Sequence, residues 1–225
     1  MFRAVYESTW YHPIFFWVAG IALLVAVARR LPFLPAYLVL FVIEILADAT
    51  LTSPWSPVPA NTRIATVVSV VFVVLGDARF FLLVERARLG ALSRRVWVVA
   101  LGLSVVVPMA SFVPQALFPN AFTDTRIVFL TYETMFFVLA LALRAWLPRR
   151  DWKRDADRRW ATLATNFEIV QYALWAIADV IILAGLDFGY ALRLVPNTMY
   201  YVFFLPFVAW AAPRELTKSW RPARA

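Results

Sequence analysis

Seven apolar runs, each close to twenty residues long, divide this chain, and clusters of arginine fill several of the breaks between them. About twenty apolar residues are what a helix needs to cross the hydrocarbon of a bilayer. The runs predict helices over 13–28, 34–51, 64–84, 95–116, 126–147, 160–185 and 189–211. The first is short, and Trp10 and Tyr11 extend it into the interface as an aromatic anchor. The fold expected is therefore all-α: one polytopic membrane domain of seven transmembrane helices over 1–225. Only 16% of the residues are charged, against about a quarter in a soluble domain.

The basic residues set an orientation. Seventeen of the 22 fall after the first helix, between helices 3 and 4, around the break between helices 5 and 6, or in the C-terminal tail. The other side holds only Arg3, Arg63, Arg126 and Arg193, while Arg79 lies within a helix. The positive-inside rule then places the N-terminus outside and the C-terminus in the cytoplasm, most simply across a bacterial plasma membrane. The net charge of +8 is a topology signal with headgroup contact, not a nucleic-acid patch. The stretch Arg149–Arg159 also carries Asp151, Asp155 and Asp157 and reads as a solvated loop or short interfacial helix. No A-x-A-like cleavage site follows the first run, so a cleaved signal peptide is not expected.

Several chemistries are excluded. There is no Cys and a single His, His12, so thiolate sites and histidine-cluster metal centres are not available. No glycine-rich phosphate loop is present, and helix 7 has no Lys to form a retinal Schiff base. No cofactor and no metal are called for. His12 reads as an interfacial residue, and Pro108, Pro114 and Pro119 as the shape of helix 4 and its following loop.

A repeat is suggested by matched pairs. Ile45-Leu46-Ala47-Asp48 in helix 2 matches Ala176-Ile177-Ala178-Asp179 in helix 6, and Asp48 precedes Arg63 at nearly the spacing by which Asp179 precedes Arg193. Two parallel three-helix units, 10–84 and 126–211, would then be joined by a linker helix over 95–116, with sites expected at the interface between them.

Six carboxylates interrupt the apolar runs: Glu44, Asp48, Asp77, Glu133, Glu168 and Asp179. A charge at bilayer depth costs at least about 2.5–3.5 kcal/mol, so it is seldom there without a role. Depth along each span groups Glu44, Asp48, Glu133, Asp179, Arg193 and Asn197 at one outward-facing cavity, which Trp175 borders. Asp77, Arg79, Asn166 and Glu168 form a second, inner polar layer. Glu44 and Asp48, four residues apart, share a helix face. Two desolvated carboxylates there do not both ionise easily, which favours proton exchange near neutral pH. The alternative is ion pairing: Asp48 with Arg63, Asp179 with Arg193, and Asp77 with Arg79 or a neighbour. Glu44 and Glu133 have no sequence-local partner, which marks them for function.

Two stretches resemble a known family. Thr52-Ser53-Pro54-Trp55 follows helix 2, and Gly76-Asp77-Ala78-Arg79-Phe80-Phe81 lies in helix 3. The membrane lycopene cyclases of bacteria and fungi have a T-T-P-W-type turn followed by a P-x-E-E-x-x-F-F stretch, also in paired three-helix units. Aligned on Phe80-Phe81, Asp77 takes the second acid position, while Gly76 and Val74 depart from the pattern. In helix 7, Phe203-Phe204 retains the aromatic pair, and Met199 and Tyr200 stand at the acid positions. The resemblance implies a fold that holds an isoprenoid or polyene and protonates it with a carboxylate, here Asp77 or Glu133. The three-plus-one-plus-three arrangement is also similar to that of the PQ-loop sugar transporters, although Pro114-Gln115 sits in the wrong helix for their motif.

Three readings follow. The first is an isoprenoid- or lipid-handling membrane protein whose partner is a membrane lipid or apolar small molecule. The second is a small-solute carrier, proton-coupled through Glu44, Asp48 and Asp179. The third is a seven-helix sensor.

Overall fold

The structure, a computed structural model, describes residues 1–30, 35–59, 62–90 and 93–213, without the side chains of 26–36. The tail arginines and lysine, Arg214, Lys218, Arg221 and Arg224, and the side chains of Arg29 and Arg30 lie outside that description. Among the described residues every regular element is helical. A short α1 (Phe2–Tyr6) leads through a kinked segment, Trp10–Phe15, into α2 (Phe16–Arg30). Then follow α3 (Pro35–Leu51), α4 (Arg63–Leu89), α5 (Arg94–Leu117), α6 (Thr125–Trp146) and α7 (Asp155–Leu183). The last segment is broken: α8 (Phe188–Thr198) passes through a widened π turn, Met199–Phe203, into α9 (Phe204–Ala211).

Five of these segments are long and apolar enough to cross a membrane: Arg63–Leu89, Arg94–Leu117, Thr125–Arg149, Asp155–Leu183 and Phe188–Ala211. The architecture is that of a helical membrane protein. α2 and α3, with 15 and 17 residues, are apolar but shorter.

Local chemistry sets the boundaries. Thr62, Ser93 and Asp124 cap α4, α5 and α6, their side-chain oxygens accepting from backbone N–H groups of the first turn. Gly90 ends α4 in the left-handed conformation, φ +75°, which a side chain would strain. In the last segment Pro196 and Pro206 each lack the N–H that an α-helical bond to the fourth residue back requires, and the π turn lies between them.

The two largest boundary differences from the sequence reading have one reason. α4 runs to Leu89, not 84, and α7 begins at Asp155, not 160. Their ends extend past the apolar runs on buried ion pairs. Glu85, 1% exposed, takes Arg88 at 2.8 Å and Arg150 at 2.5 Å, and Asp157, equally buried, takes Arg154 at 2.9 Å. The stretch around Arg149–Arg159 is therefore partly folded into the protein and is not simply a solvated loop.

α4 is the central helix. From Gly76 to Glu85 every residue is buried, as a helix surrounded on all sides must be. It packs on α3, α5 and α7, and α7 in turn packs on α6 and α8. Phe80, Phe81, Phe136 and Phe204 form the centre of the core. α5 is peripheral, with Val98, Met109, Val113 and Leu117 exposed on its outer face, where lipid would cover them.

Candidate functional site: an aromatic chamber with buried charge

At the end of the bundle that carries the N-terminus lies a half-open cavity of about 590 Å³. It is bounded by the N-terminal segment and by residues of α4, α6, α7, α8 and the π turn, with Asp48 at the foot of the α3 wall. Its walls are largely aromatic, with Tyr6, Tyr11, Tyr132, Tyr172, Tyr200 and Tyr201 among them.

One charged group forms a wall of the chamber. The Arg193 guanidinium meets Glu133 at 3.0 Å and is ion-paired with Asp179. Arg126 donates to the same Asp179 oxygen at 3.1 Å. Arg193 Nε also donates to the Tyr6 hydroxyl at 3.2 Å, which ties the N-terminal segment to the cluster. Asp179, Glu133 and Arg193 are all buried, so these contacts form in a low-dielectric surrounding. Glu133 Oε2 has no hydrogen-bond partner among the described residues.

A second carboxylate sits behind the wall. Asp77 accepts from the hydroxyls of both Tyr132, in a very short bond, and Tyr172, at 2.8 Å. Both tyrosines line the chamber and Asp77 does not. A third, Asp48, accepts from Tyr201 at 2.9 Å and from its neighbour Thr52 at 3.2 Å. Trp175 Nε1 donates to Asn197 at 2.6 Å, and both line the chamber.

Beneath these lies a group of another kind. The Arg79 side chain is fully buried, and none of its three guanidinium nitrogens has a hydrogen-bond partner among the described residues. The guanidinium lies 4.4 Å from the centre of the Tyr200 ring and 4.6 Å from that of Phe204. Glu44 and Glu168 feel its charge, and so do Asp48 and Asp77. Glu44 has no hydrogen bond at either oxygen among the described residues, and Glu168 has a long contact with Gln171 at 3.3 Å. Gly76 makes room for Tyr200: a Cβ there would lie 2.0 Å from the Tyr200 hydroxyl.

Sequence positions and structure can now be matched. Asp48, Glu133, Trp175, Arg193 and Asn197 line one chamber, as depth suggested. Asp179 joins through Arg193. Glu44 does not line it and belongs with Arg79 and Glu168 instead. Asn166 is not in the inner layer: it accepts from Arg144 at an exposed position. Of the expected pairs, Asp179 with Arg193 forms. Asp48 with Arg63 does not, because Arg63 is exposed at the start of α4 and Asp48 turns to hydroxyls. Asp77 is bonded to tyrosines, not to Arg79. Glu133, which lacked a sequence-local partner, finds Arg193 from another helix.

His12, read as interfacial, lines the chamber. The tyrosines and Arg126 are the residues that sequence reasoning missed. A signal for the tyrosines existed: a phenol in mid-span brings a hydroxyl that needs a partner, and buried carboxylates are the natural ones. Comparison of the chain with known protein families, with curated proteins and with solved structures finds no match.

Proposed function

We propose that this is a seven-span membrane protein that holds an isoprenoid- or lipid-class small molecule in the chamber, with the N-terminus outside and the C-terminus cytoplasmic. The observation that carries this reading is the chamber itself. Its size suits a small organic ligand, its walls are aromatic, and its few polar groups are specific and buried. A small, freely hydrated solute would have little use for such walls.

Where the bound molecule is a polyene, the chamber is arranged for acid chemistry. An O–H bond breaks, a C–H bond forms at a double bond, and a carbocation remains until it loses a proton elsewhere; no redox change is involved. Two groups suit the acid role. Glu133 lines the chamber, and its buried Oε2 has no partner among the described residues. Asp77 acts from behind, through the hydroxyls of Tyr132 and Tyr172. The aromatic walls stabilise the cation by their ring faces. Expression in a host that makes linear polyenes tests this, with isoprenoid composition read by chromatography. A changed product pattern that disappears in Asp77→Asn or Glu133→Gln supports acid chemistry. An unchanged pattern, from protein shown to be inserted and folded, removes it.

A second reading is favoured by one observation, the break of the last segment at Met199–Phe203. It places Tyr200 over the unbonded Arg79. Broken helices beside buried charge are a device of carriers. Proton uptake into proteoliposomes that tracks solute entry and is lost in Glu44→Gln would favour that reading.

A further inference from the structure

The chamber reading leaves open the charge of the occupant's polar head, and the inference drawn here rests on that reading. Four carboxylates touch the chamber or bond directly to its wall: Asp48, Asp77, Glu133 and Asp179. Glu7 also lines it, but Arg3 takes that charge at 2.8 Å. Only Arg126 and Arg193 make direct ion pairs with the four; Arg79 acts on Asp48 and Asp77 from farther off and shares its one charge with Glu44 and Glu168. Arg126 and Arg193 are both drawn to the same side, where Asp179 and Glu133 already hold them. Asp48, on the opposite wall, has hydroxyl partners and no cation within ion-pair distance among the described residues. A buried charge without an ion-paired counter-charge is costly.

The rings supply a second, independent argument. An aromatic face is the negative side of a quadrupole and attracts cations. Rings around this chamber already do so: the Arg126 guanidinium stands 5.5 Å from the Tyr6 ring and Arg79 stands 4.4 Å from the Tyr200 ring. A third observation is Glu133 Oε2, a buried acceptor on a residue that lines the chamber, with no donor among the described residues. An anionic head would find Arg193 already committed to two carboxylates, and would face Asp48 besides.

We propose that the chamber selects an amphipathic cation, an apolar chain ending in a protonated amine. The ammonium N–H groups reach Glu133 Oε2, the positive charge offsets Asp48, and the chain lies along the tyrosine walls.

Farnesylamine and farnesol test this, because they share one apolar body and differ at the head. Saturable binding of each is measured to the full-length protein in lipid nanodiscs at neutral pH. One ion contact together with one ring contact predicts that farnesylamine binds about tenfold more tightly. Glu133→Gln and Asp48→Asn should each remove most of that advantage, in variants whose membrane insertion and cooperative unfolding show that they are folded. Equal binding of the two probes by the wild type overturns the cation preference and leaves the chamber reading standing. An amine advantage that survives both substitutions overturns it as well, since the preference would then arise elsewhere. Saturable binding of neither probe overturns both.

Discussion

The Arg193 cluster and the Arg79 cluster are built from the same residue types and differ in how they are satisfied. Around Arg193, two carboxylates and a second guanidinium form a bonded network, the Tyr6 hydroxyl adds a further contact, and Glu133 Oε2 is left without a partner among the described residues. Around Arg79, the guanidinium has ring faces but no hydrogen bond, and Glu44 has no bond at either oxygen, among the described residues. A bonded network fixes geometry. An open one has groups that no hydrogen bond ties to one partner. The difference assigns the rigid wall of the chamber to the first cluster and the place of change to the second.

The sharpest way to break that comparison is to remove each cation in turn. Arg193→Met leaves Glu133 and Asp179 buried with one partner between them, and should cost about 3–5 kcal/mol. Arg79→Met removes two ring contacts and a buried cation that has no hydrogen bond among the described residues, and should cost only about 1–2 kcal/mol. Unfolding in mixed micelles measures both. Equal losses would mean that the two clusters are alike and that the assignment above is wrong.

Gly76 offers a finer probe of the Arg79 side. Gly76→Ala places a methyl where the Tyr200 hydroxyl now lies. The ring must move, and it is the ring that covers Arg79. Overpacking of this kind costs about 1–3 kcal/mol. Adding Tyr200→Phe removes the clashing oxygen and should recover part of the loss. A Gly76→Ala protein of unchanged stability would show that Tyr200 does not need its present seat.

Much of this arrangement was legible in the sequence, and for an identifiable reason. Helix positions follow from apolar runs, so each expected run has a helical counterpart, five of them long and apolar enough to span, and ends such as Leu89 and Asp155 differ where buried ion pairs extend the helix. Depth along a span is also a one-dimensional quantity, so Asp48, Glu133, Arg193 and Asn197 could be brought to one level. Which way a side chain faces is not. Asp48 turned to Tyr201, 153 positions away, and Asp77 to Tyr172, 95 positions away. Those partners depend on how helices rotate against each other, which no local spacing records. The paired-unit repeat rested on equivalent Asp–Arg pairs, and only Asp179 with Arg193 forms one.

The smallest expected effect concerns the cover of the chamber. Asp187, in the turn between α7 and α8, accepts from the terminal amine and the backbone N–H of Phe2, both at 2.8 Å, and from the N–H of Arg3 at 3.0 Å. Those donors favour its ionised form and hold its pKa at about 2, below the ordinary 3.8. A depressed carboxyl contributes fully above its ordinary value and loses that contribution as pH falls toward 2. The latch is therefore closed at every physiological pH, and acid is not what opens it. Asp187→Asn removes the charge at all pH values. Hydrogen exchange at Phe2–Tyr6 should then quicken, while the Arg193 cluster still holds Tyr6 and the bundle keeps its stability. Faster exchange at α1 with ligand release unchanged would place the cover outside the entry path. Faster exchange with faster release would make α1 the door to the rigid cluster. Unchanged exchange would mean that Tyr6 alone secures the segment and that Asp187 holds nothing.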